Sequence, residues 1–449
     1  MIESAGRALR NFNAREHAMN RRELIDADGG NHAVKPIPRA AFDSTLALLR
    51  EGYDFISARC RRMNTDIFAT RLMLQPAICV RGAEAAEMFY GGDHFTRIGA
   101  MPQTTLRLLQ DKGSVQALDG AAHRHRKALF LSILLDGDQI ERLRANFRRA
   151  WLDKLEDWQR RDEIVLFDAV NLVLTQAAAD WAGIPADKDR AELCRELSGM
   201  IENAGGVGPS TMLALWRRRR TERTIGELVR RVRSGALDLP ANSPVRLVSE
   251  YVDAEGMPLD LASAAVEIIN IIRPVVAIGR FIMFAALALH QHRQWYDKFA
   301  AGDEDGLEAF AEEVRRLYPF FPFIGGRARH PFEWKGYRFR EGDWILLDLH
   351  GTNHDPRLFV EPDRFIPERG LSWKTHGFDF IPHGGGDPAT AHRCPGEAVT
   401  VALIMEAVRL LTRSMAYRVP DQDMTVSLAR MPARPKSGFR IDNVRRKPG

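Results

Sequence analysis

The segment Phe380–Leu411, FIPHGGGDPATAHRCPGEAVTVALIMEAVRLL, sets a glycine-rich loop, a lone cysteine and a long apolar helical pattern in direct succession. Cys394 is followed by Pro395, Gly396 and then the helix, so its sulfur stands just ahead of a helix N-terminus, with loop N–H groups free to donate. Such surroundings stabilise a thiolate. It could be a nucleophile, a zinc ligand or the axial ligand of a haem. Zinc needs companions, and His383 and His392 with one cysteine give no recognised tetrahedral spacing. A nucleophile lacks an identifiable base here, whereas a haem needs a single thiolate.

A second anomaly lies upstream, where residues 267–282 read EIINIIRPVVAIGRFI. Ile269, Ile271, Ile272, Val275, Val276 and Ile278 surround Arg273 and Pro274 in the longest apolar helix pattern of the chain. A proline inside a helix removes a hydrogen bond and costs about 3 kcal/mol. A buried guanidinium cannot shed its proton, and an unpaired one is expensive. Positions 269, 270, 276 and 277 are Ile, Asn, Val and Ala, so no acid lies one turn away. Either a distant carboxylate pairs with Arg273 or an anion arrives from outside.

The chain has 449 residues, 45% hydrophobic and 27% charged, which suits a large globular body and excludes a disordered or fibrous one. Its formal charge of +5 comes from basic residues spread along the chain, with one dense run, Trp216–Arg233, read as a solvated helix face, with steering of anionic ligands or a lipid surface as the lesser reading. No nucleic-acid motif accompanies it. Cys60, Cys79, Cys194 and Cys394 form no C-x-x-C pair, so a reducing cytoplasm is the expected setting. The N-terminus has no apolar secretory core. The stretch Val275–Leu289 is interrupted by Arg280 and falls short of a membrane span, so no integral membrane segment is expected.

Residues 1–37 are polar and read as a flexible extension, with residues 38–449 as one domain. Within the latter, helical periodicity marks 45–63, 141–161, 166–183 and the long element from Ala262 to about His290. LMLQPAICV (72–80), FEWKGYRF (332–339) and WILLDLH (344–350) are short strand patterns, suggesting two small sheets on a mainly α body.

Three ordered motifs carry a resemblance over nearly the whole of that body. EEVRRLYPFFPF supplies Glu313 and Arg316 in E-x-x-R spacing, GTNHDPRLFVEPDRFIPERG follows, and HRCPGE closes the series. In this order they resemble the cytochrome P-450 superfamily. The resemblance implies a mainly α, triangular fold with small β-sheets and a haem b between the long central helix and the cysteine-loop helix. It makes Cys394 the proximal thiolate and iron ligand, and Glu313, Arg316 and Arg364 a supporting ion-paired cluster. One departure stands out: the superfamily's phenylalanine seven residues before the cysteine is Asp387 here, in a lengthened loop.

The superfamily's acid–alcohol pair on the oxygen-activating helix is replaced by Arg273-Pro274. With SVQALDGAAHRHRKALFLSI (114–133), this resembles the fatty-acid peroxygenase branch. The resemblance implies that hydrogen peroxide is the oxidant, that no redox partner protein is needed, and that Arg273 binds the carboxylate of a long-chain fatty acid. That carboxylate then serves as general acid–base for hydroxylation at the α or β carbon. Gln116 matches the distal-pocket position, with glutamine as in hydroxylating members. His123, Lys127, Arg97 and Arg327 match haem-propionate positions; Leu109, Phe320 and Phe323 are expected to line the acyl channel. The alternatives are decarboxylation to terminal alkenes, a monooxygenase that depends on redox partners, and a haem-based fatty-acid carrier.

Overall fold

The computed structural model describes residues 34–111, 113–206, 208–370 and 377–447. The expected N-terminal extension lies almost wholly outside the described residues. The chain divides into two units. In the smaller, the Lys35 N–H donates to the Gly336 carbonyl at 2.8 Å. The larger comprises Ile37–Phe332 and Phe339–Gly449 and holds every site residue discussed below.

Helices dominate the larger unit, and their sequence signals are local. Asp136 caps Gly137–Trp158 by accepting from the Gln139 N–H at 2.9 Å, and Leu143, Phe147, Ala150, Trp151, Leu155 and Trp158 repeat along its buried stripe. Leu166–Ala182 packs beside it, with Trp181 donating to Gln139 at 2.9 Å. Asp260 caps the central helix by accepting from the Ala262 and Ser263 N–H groups, both at 2.9 Å.

The central helix is not one straight rod. It runs from Leu261 to Ala277, breaks at Ile278 and resumes as Gly279–Gln291. Pro274 has no N–H for the Asn270 carbonyl four residues back, and the helix persists for one further turn before the break. The stretch Leu261–Gln291 is long and apolar enough to cross a membrane, but 89% of its apolar window is buried inside the fold, so its apolarity belongs to the core.

The strands are Ile67–Leu72 (β1), Gln75–Arg81 (β2), Phe95–Thr96 (β3), Glu163–Val165 (β4), Phe323–Ala328 (β5), Phe332–Trp334 (β6), Tyr337–Phe339 (β7), Trp344–Asp348 (β8), Met415–Arg418 (β9) and Arg440–Arg446 (β10). One sheet has the order β1-β2-β8-β5-β3, with β2 and β8 parallel and the other neighbours antiparallel; a second has the order β4-β10-β9; β6 and β7 form a hairpin. The reading of residues 72–80 as one strand is corrected: it spans the end of β1, a turn and β2, because Met73 and Leu74 adopt left-handed backbone at φ 52° and 63°. The β4-β10-β9 sheet had no counterpart in the sequence reading.

Candidate active site

The cysteine loop is built by hydrogen bonds that need no regular element. The Cys394 N–H donates to the His383 carbonyl at 3.0 Å, closing the loop base. Asp387 stands where aromatic character was expected because its carboxylate accepts from the Ala389 and Thr390 N–H groups at 2.6 and 3.2 Å, which turns the lengthened segment. The helix Glu397–Arg409 begins three residues after the cysteine. Burial pushes the Cys394 thiol up, while the Gly396 N–H, Lys127 and Arg315 favour the thiolate and Glu397 opposes it. A sulfur fixed among cationic and N–H donors is suited to coordinate a metal as thiolate.

Beneath this loop lies a buried ionic network absent from the sequence reading. Arg315 donates to Glu312 at 2.6 Å, to the Glu397 carboxylate, and to His383 Nδ1 at 3.1 Å. Arg393 reaches the same Glu397 at 2.7 Å. Burial, with Arg315 and Arg393, holds His383 well below its ordinary range, so the ring is neutral and accepts. Its ring also stacks with Phe281 and Phe320, centroids 5.7 and 5.9 Å away. The cysteine loop is thereby tied to the central helix.

Glu313 and Arg316 form the expected pair, bidentate at 2.8 Å on both arms. Arg316 also donates to the carbonyls of Asn353, Pro362 and Arg364 at 2.9, 2.7 and 3.1 Å. The third side chain is not Arg364. That guanidinium turns outward to Glu361, and Arg369 contacts Glu313 at 3.3 Å instead. The turn that brings the Arg364 carbonyl to Arg316 points its side chain to solvent.

Arg273 is 7% exposed, and no carboxylate pairs with it among the described residues. Its Nη2 donates to the Leu109 carbonyl and lies 3.5 Å from Asn270 Oδ1; its buried Nε has no partner. Burial pulls the guanidinium down to about 9, aided by Arg218 and opposed by Cys394, which leaves it charged at neutral pH. An uncompensated buried cation with a spare N–H is a site for an anion.

The segment that faces it is fastened point by point. Arg218 donates to the Leu108 carbonyl at 2.9 Å, Asn270 to that of Gln110 at 3.1 Å, and Arg126 to that of Gly113 at 2.6 Å. The Val115 N–H donates to Glu267 at 2.7 Å. These anchors hold the one-turn helix Val115–Ala117, whose Gln116 Oε1 lies 3.5 Å from Asn270 Nδ2. Glu267, Asn270 and Arg273 follow one another at i, i+3 steps on the central helix, a polar stripe legible as E-x-x-N-x-x-R within the apolar run. Arg218 shows that the basic run is not wholly a solvated face. One of its arginines is buried and helps hold this strap, formed by Leu108–Asp111 and Gly113–Ala117.

The expected propionate ligands divide. His123 and Lys127 are buried on Gly120–Leu134; the His123 ring lies 4.2 Å from His392, and Lys127 donates to the carbonyls of Ala391 and, at 3.0 Å, Arg393. Arg97 is placed by a 2.6 Å bond to the Gly325 carbonyl and lies over Phe89. A cleft of about 130 Å³ is lined by Tyr90, Arg97, Asp119, His123, Arg124 and His392. Burial pulls Lys127 down to about 8 and lowers Arg97. These cations would be relieved by an anionic group, which fits the carboxylates of a haem beside the Cys394 loop. Arg327 is a correction: its guanidinium serves the Gly99 and Gly342 carbonyls and Gln75 at 3.1–3.2 Å on the outer side of β5. Ala328 is buried, and Arg327, the residue before it, projects from the other face of the strand, where it is half-buried.

Leu109 meets Arg273 through its carbonyl. Phe320 stacks on Phe281 at 4.5 Å between the central helix and the cysteine loop. Phe323 packs instead with the cluster of Phe55, Phe68 and Leu346 around the sheet.

Residues 306–410 match the family model described as Cytochrome P450. Among curated proteins, dimethylnonatriene synthase of Arabidopsis thaliana is 28% identical over 140 residues, 30% of this chain and 26% of that one. Rhazimal synthase of Alstonia scholaris is 36% identical over 100 residues, 21% and 19% of the respective chains. The match therefore spans about a quarter of the length of these curated relatives. Solved structures align far more completely. Cytochrome P450EX alpha (CYP152N1) with myristic acid superposes with a TM-score of 0.88 at 40% identity, covering 92% of this chain and 100% of that one. Cytochrome P450SP alpha (CYP152B1) with (R)-ibuprophen gives 0.87 at 38%, covering 90% and 99%. A variant of cytochrome P450 OleT with arachidonic acid gives 0.89 at 33%, covering 92% and 100%.

Proposed function

Because this chain belongs to the cytochrome P450 family, in its CYP152 branch of hydrogen-peroxide-dependent fatty-acid enzymes, we propose that it hydroxylates long-chain fatty acids at the α or β carbon. The observation that carries this reading is the buried, acid-free guanidinium of Arg273 with its unpartnered Nε. Myristic and arachidonic acids bound to related proteins support a fatty acid as the anion.

Arg273 holds the substrate carboxylate by an ion pair at two nitrogens, which fixes the first carbons of the acyl chain and leaves the tail to apolar walls. Phe320 is one such wall. The central helix carries Arg273-Pro274 where a proton-delivering acid would otherwise be needed, so the captured carboxylate takes over proton transfer to and from hydrogen peroxide. Gln116 orients polar groups beside it. Cys394 holds the haem b as thiolate, with His123, Lys127 and Arg97 as partners for its propionates. When bound, the haem supplies the peroxide-driven oxidation. No redox protein takes part, and the unpaired thiols of Cys60, Cys79 and Cys194 support a reducing, cytoplasmic setting.

The decisive experiment gives the purified holoprotein myristic acid and hydrogen peroxide and identifies products by mass spectrometry. 2- or 3-Hydroxymyristate is expected. Turnover that requires a ferredoxin and reductase, with none from peroxide, overturns the proposal. Gln116 favours hydroxylation over the alternative decarboxylation; a predominance of the terminal alkene would reverse that order.

A further inference from the structure

We propose that Glu267 is a positioning residue: its carboxylate tethers the Val115–Ala117 turn to the helix that bears Arg273, and thereby sets where Gln116 stands and how the acid head group is seated. This rests on the fatty-acid reading of the Arg273 site.

The geometry gives Glu267 a role that packing does not explain. It is fully buried in an otherwise apolar helix, where a carboxyl group is costly unless its oxygens are used. They are used across elements. One oxygen accepts from the Val115 N–H at 2.7 Å and lies 3.4 Å from Arg126 Nη1; the other lies 3.4 Å from Asn270 Nδ2. Val115 opens the turn that carries Gln116. Asn270 in turn bonds the Gln110 carbonyl, 3.1 Å away, and approaches both Gln116 and Arg273. Glu267 thus supplies the acceptor at one end of a chain of contacts whose other end is the anion-binding guanidinium.

A ligand makes this tether matter. The Arg273 nitrogen that bonds the Leu109 carbonyl is one that a two-pronged carboxylate also uses, so the seated acid and the strap share the two N–H groups of Nη2. The remaining fastenings then decide whether Gln116 keeps its place. Those at Leu108, Gln110 and Gly113 are donors to carbonyls, whereas Glu267 takes the strap's N–H group at Val115. Loss of that acceptor leaves a buried N–H unpaired and frees the turn. The charged and titratable groups facing the carboxyl are Arg126, from Gly120–Leu134, and Tyr251, whose ring lies 6.0 Å from the Arg126 guanidinium.

The test compares holoenzyme variants in three readouts, the third being the product ratio. Hydrogen exchange of the 115–118 peptide without fatty acid reads the tether alone; the haem absorption shift on adding myristate reads affinity. Glu267→Ala should speed exchange in that peptide and weaken myristate binding about tenfold, with a changed ratio of 2- to 3-hydroxy product. Glu267→Gln retains an oxygen for the Val115 N–H and should restore all three. Val115→Pro removes the donor instead, at a turn position that tolerates proline after Ser114, which is already extended at ψ 155°. It should match Glu267→Ala, and the double variant should be no worse than either alone. Unchanged exchange in Glu267→Ala, additive losses in the double variant, or failure of Glu267→Gln to rescue overturns the proposal. If wild-type protein binds no myristate while exchange responds as stated, the tether stands and the fatty-acid reading falls. If Glu267→Ala does not fold, Val115→Pro against Glu267→Gln decides by the same exchange measurement.

Discussion

Arg273 and Arg280 sit one after the other in the same apolar helical run, yet the fold treats them oppositely. Arg280 is neutralised by Glu202 and the Ala433 carbonyl. Arg273 donates to the Leu109 carbonyl and lies beside the Asn270 amide oxygen, neither of which carries a full negative charge. Desolvation without a counterion is a cost that an incoming carboxylate removes, so the unbound site is poised for an acid. Arg273→Ala should therefore weaken myristate binding on the order of a hundredfold, since losing one partner of a buried charge pair costs about 3 kcal/mol. The thiolate-haem absorption should be unaltered, because nothing in the cysteine loop touches Arg273. Titration by absorption shift checks both points, and undiminished affinity would refute the carboxylate role. Arg273 should also accept a short carboxylic acid as a stand-in. Adding butanoate should let the wild-type protein oxidise a substrate without an acid group, and Arg273→Ala should lose that effect.

At the scale of elements, the two halves of the central helix are placed by what they lack. An added Cβ at Gly279 would fall 2.2 Å from the Asn171 side-chain oxygen, so the glycine lets the second half approach Leu166–Ala182. Gly279→Ala should destabilise the protein by about 1–3 kcal/mol, seen as a lower urea midpoint, whereas Gly199→Ala, in mid-helix where the added methyl meets nothing, should not lower it. This part of the molecule was readable because helix periodicity, the embedded Arg-Pro and the cysteine loop are local patterns. The correction from Arg364 to Arg369 was not readable in the same way. Both arginines lie in one irregular segment, and which of them faces Glu313 depends on a turn that no periodicity encodes. Arg327 fell on the wrong side for a similar reason: its exposure is set by strand alternation within β5, and a six-residue run with two glycines carries little alternation to read. The Glu267–Asn270–Arg273 stripe was present as spacing, but its meaning required the facing strap of Leu108–Asp111 and Gly113–Ala117, which is distant in sequence.

For the whole molecule, burying acids has a consequence in its dependence on pH. Burial raises Glu267 from 4.5 to about 7 despite Arg126, and raises Asp348, which accepts from Ser57 at 2.6 Å and from the Gly351 N–H at 2.7 Å, from 3.8 to about 6. A carboxyl with a raised folded pKa binds its proton more tightly folded than unfolded. Its contribution is therefore complete below the unfolded value and is lost as pH rises through the folded one. For Glu267 that window runs from 4.5 to about 7 and corresponds to about 3 kcal/mol. The share of stability held by these two carboxyls should decline from pH 5 to pH 8, while buried neutral histidines such as His383 work in the opposite sense below about 6.5. Glu267→Gln removes one of the responsible protons while keeping an acceptor for Val115, so the variant should gain on wild type by about 2 kcal/mol more at pH 8 than at pH 5. Urea unfolding of both proteins at the two pH values measures the difference. An equal gain at both would mean that Glu267 is ionised throughout and that Arg126 neutralises it fully. In that case the acid is held by charge, and the strap would owe its place to an ion pair more than to the bond at Val115.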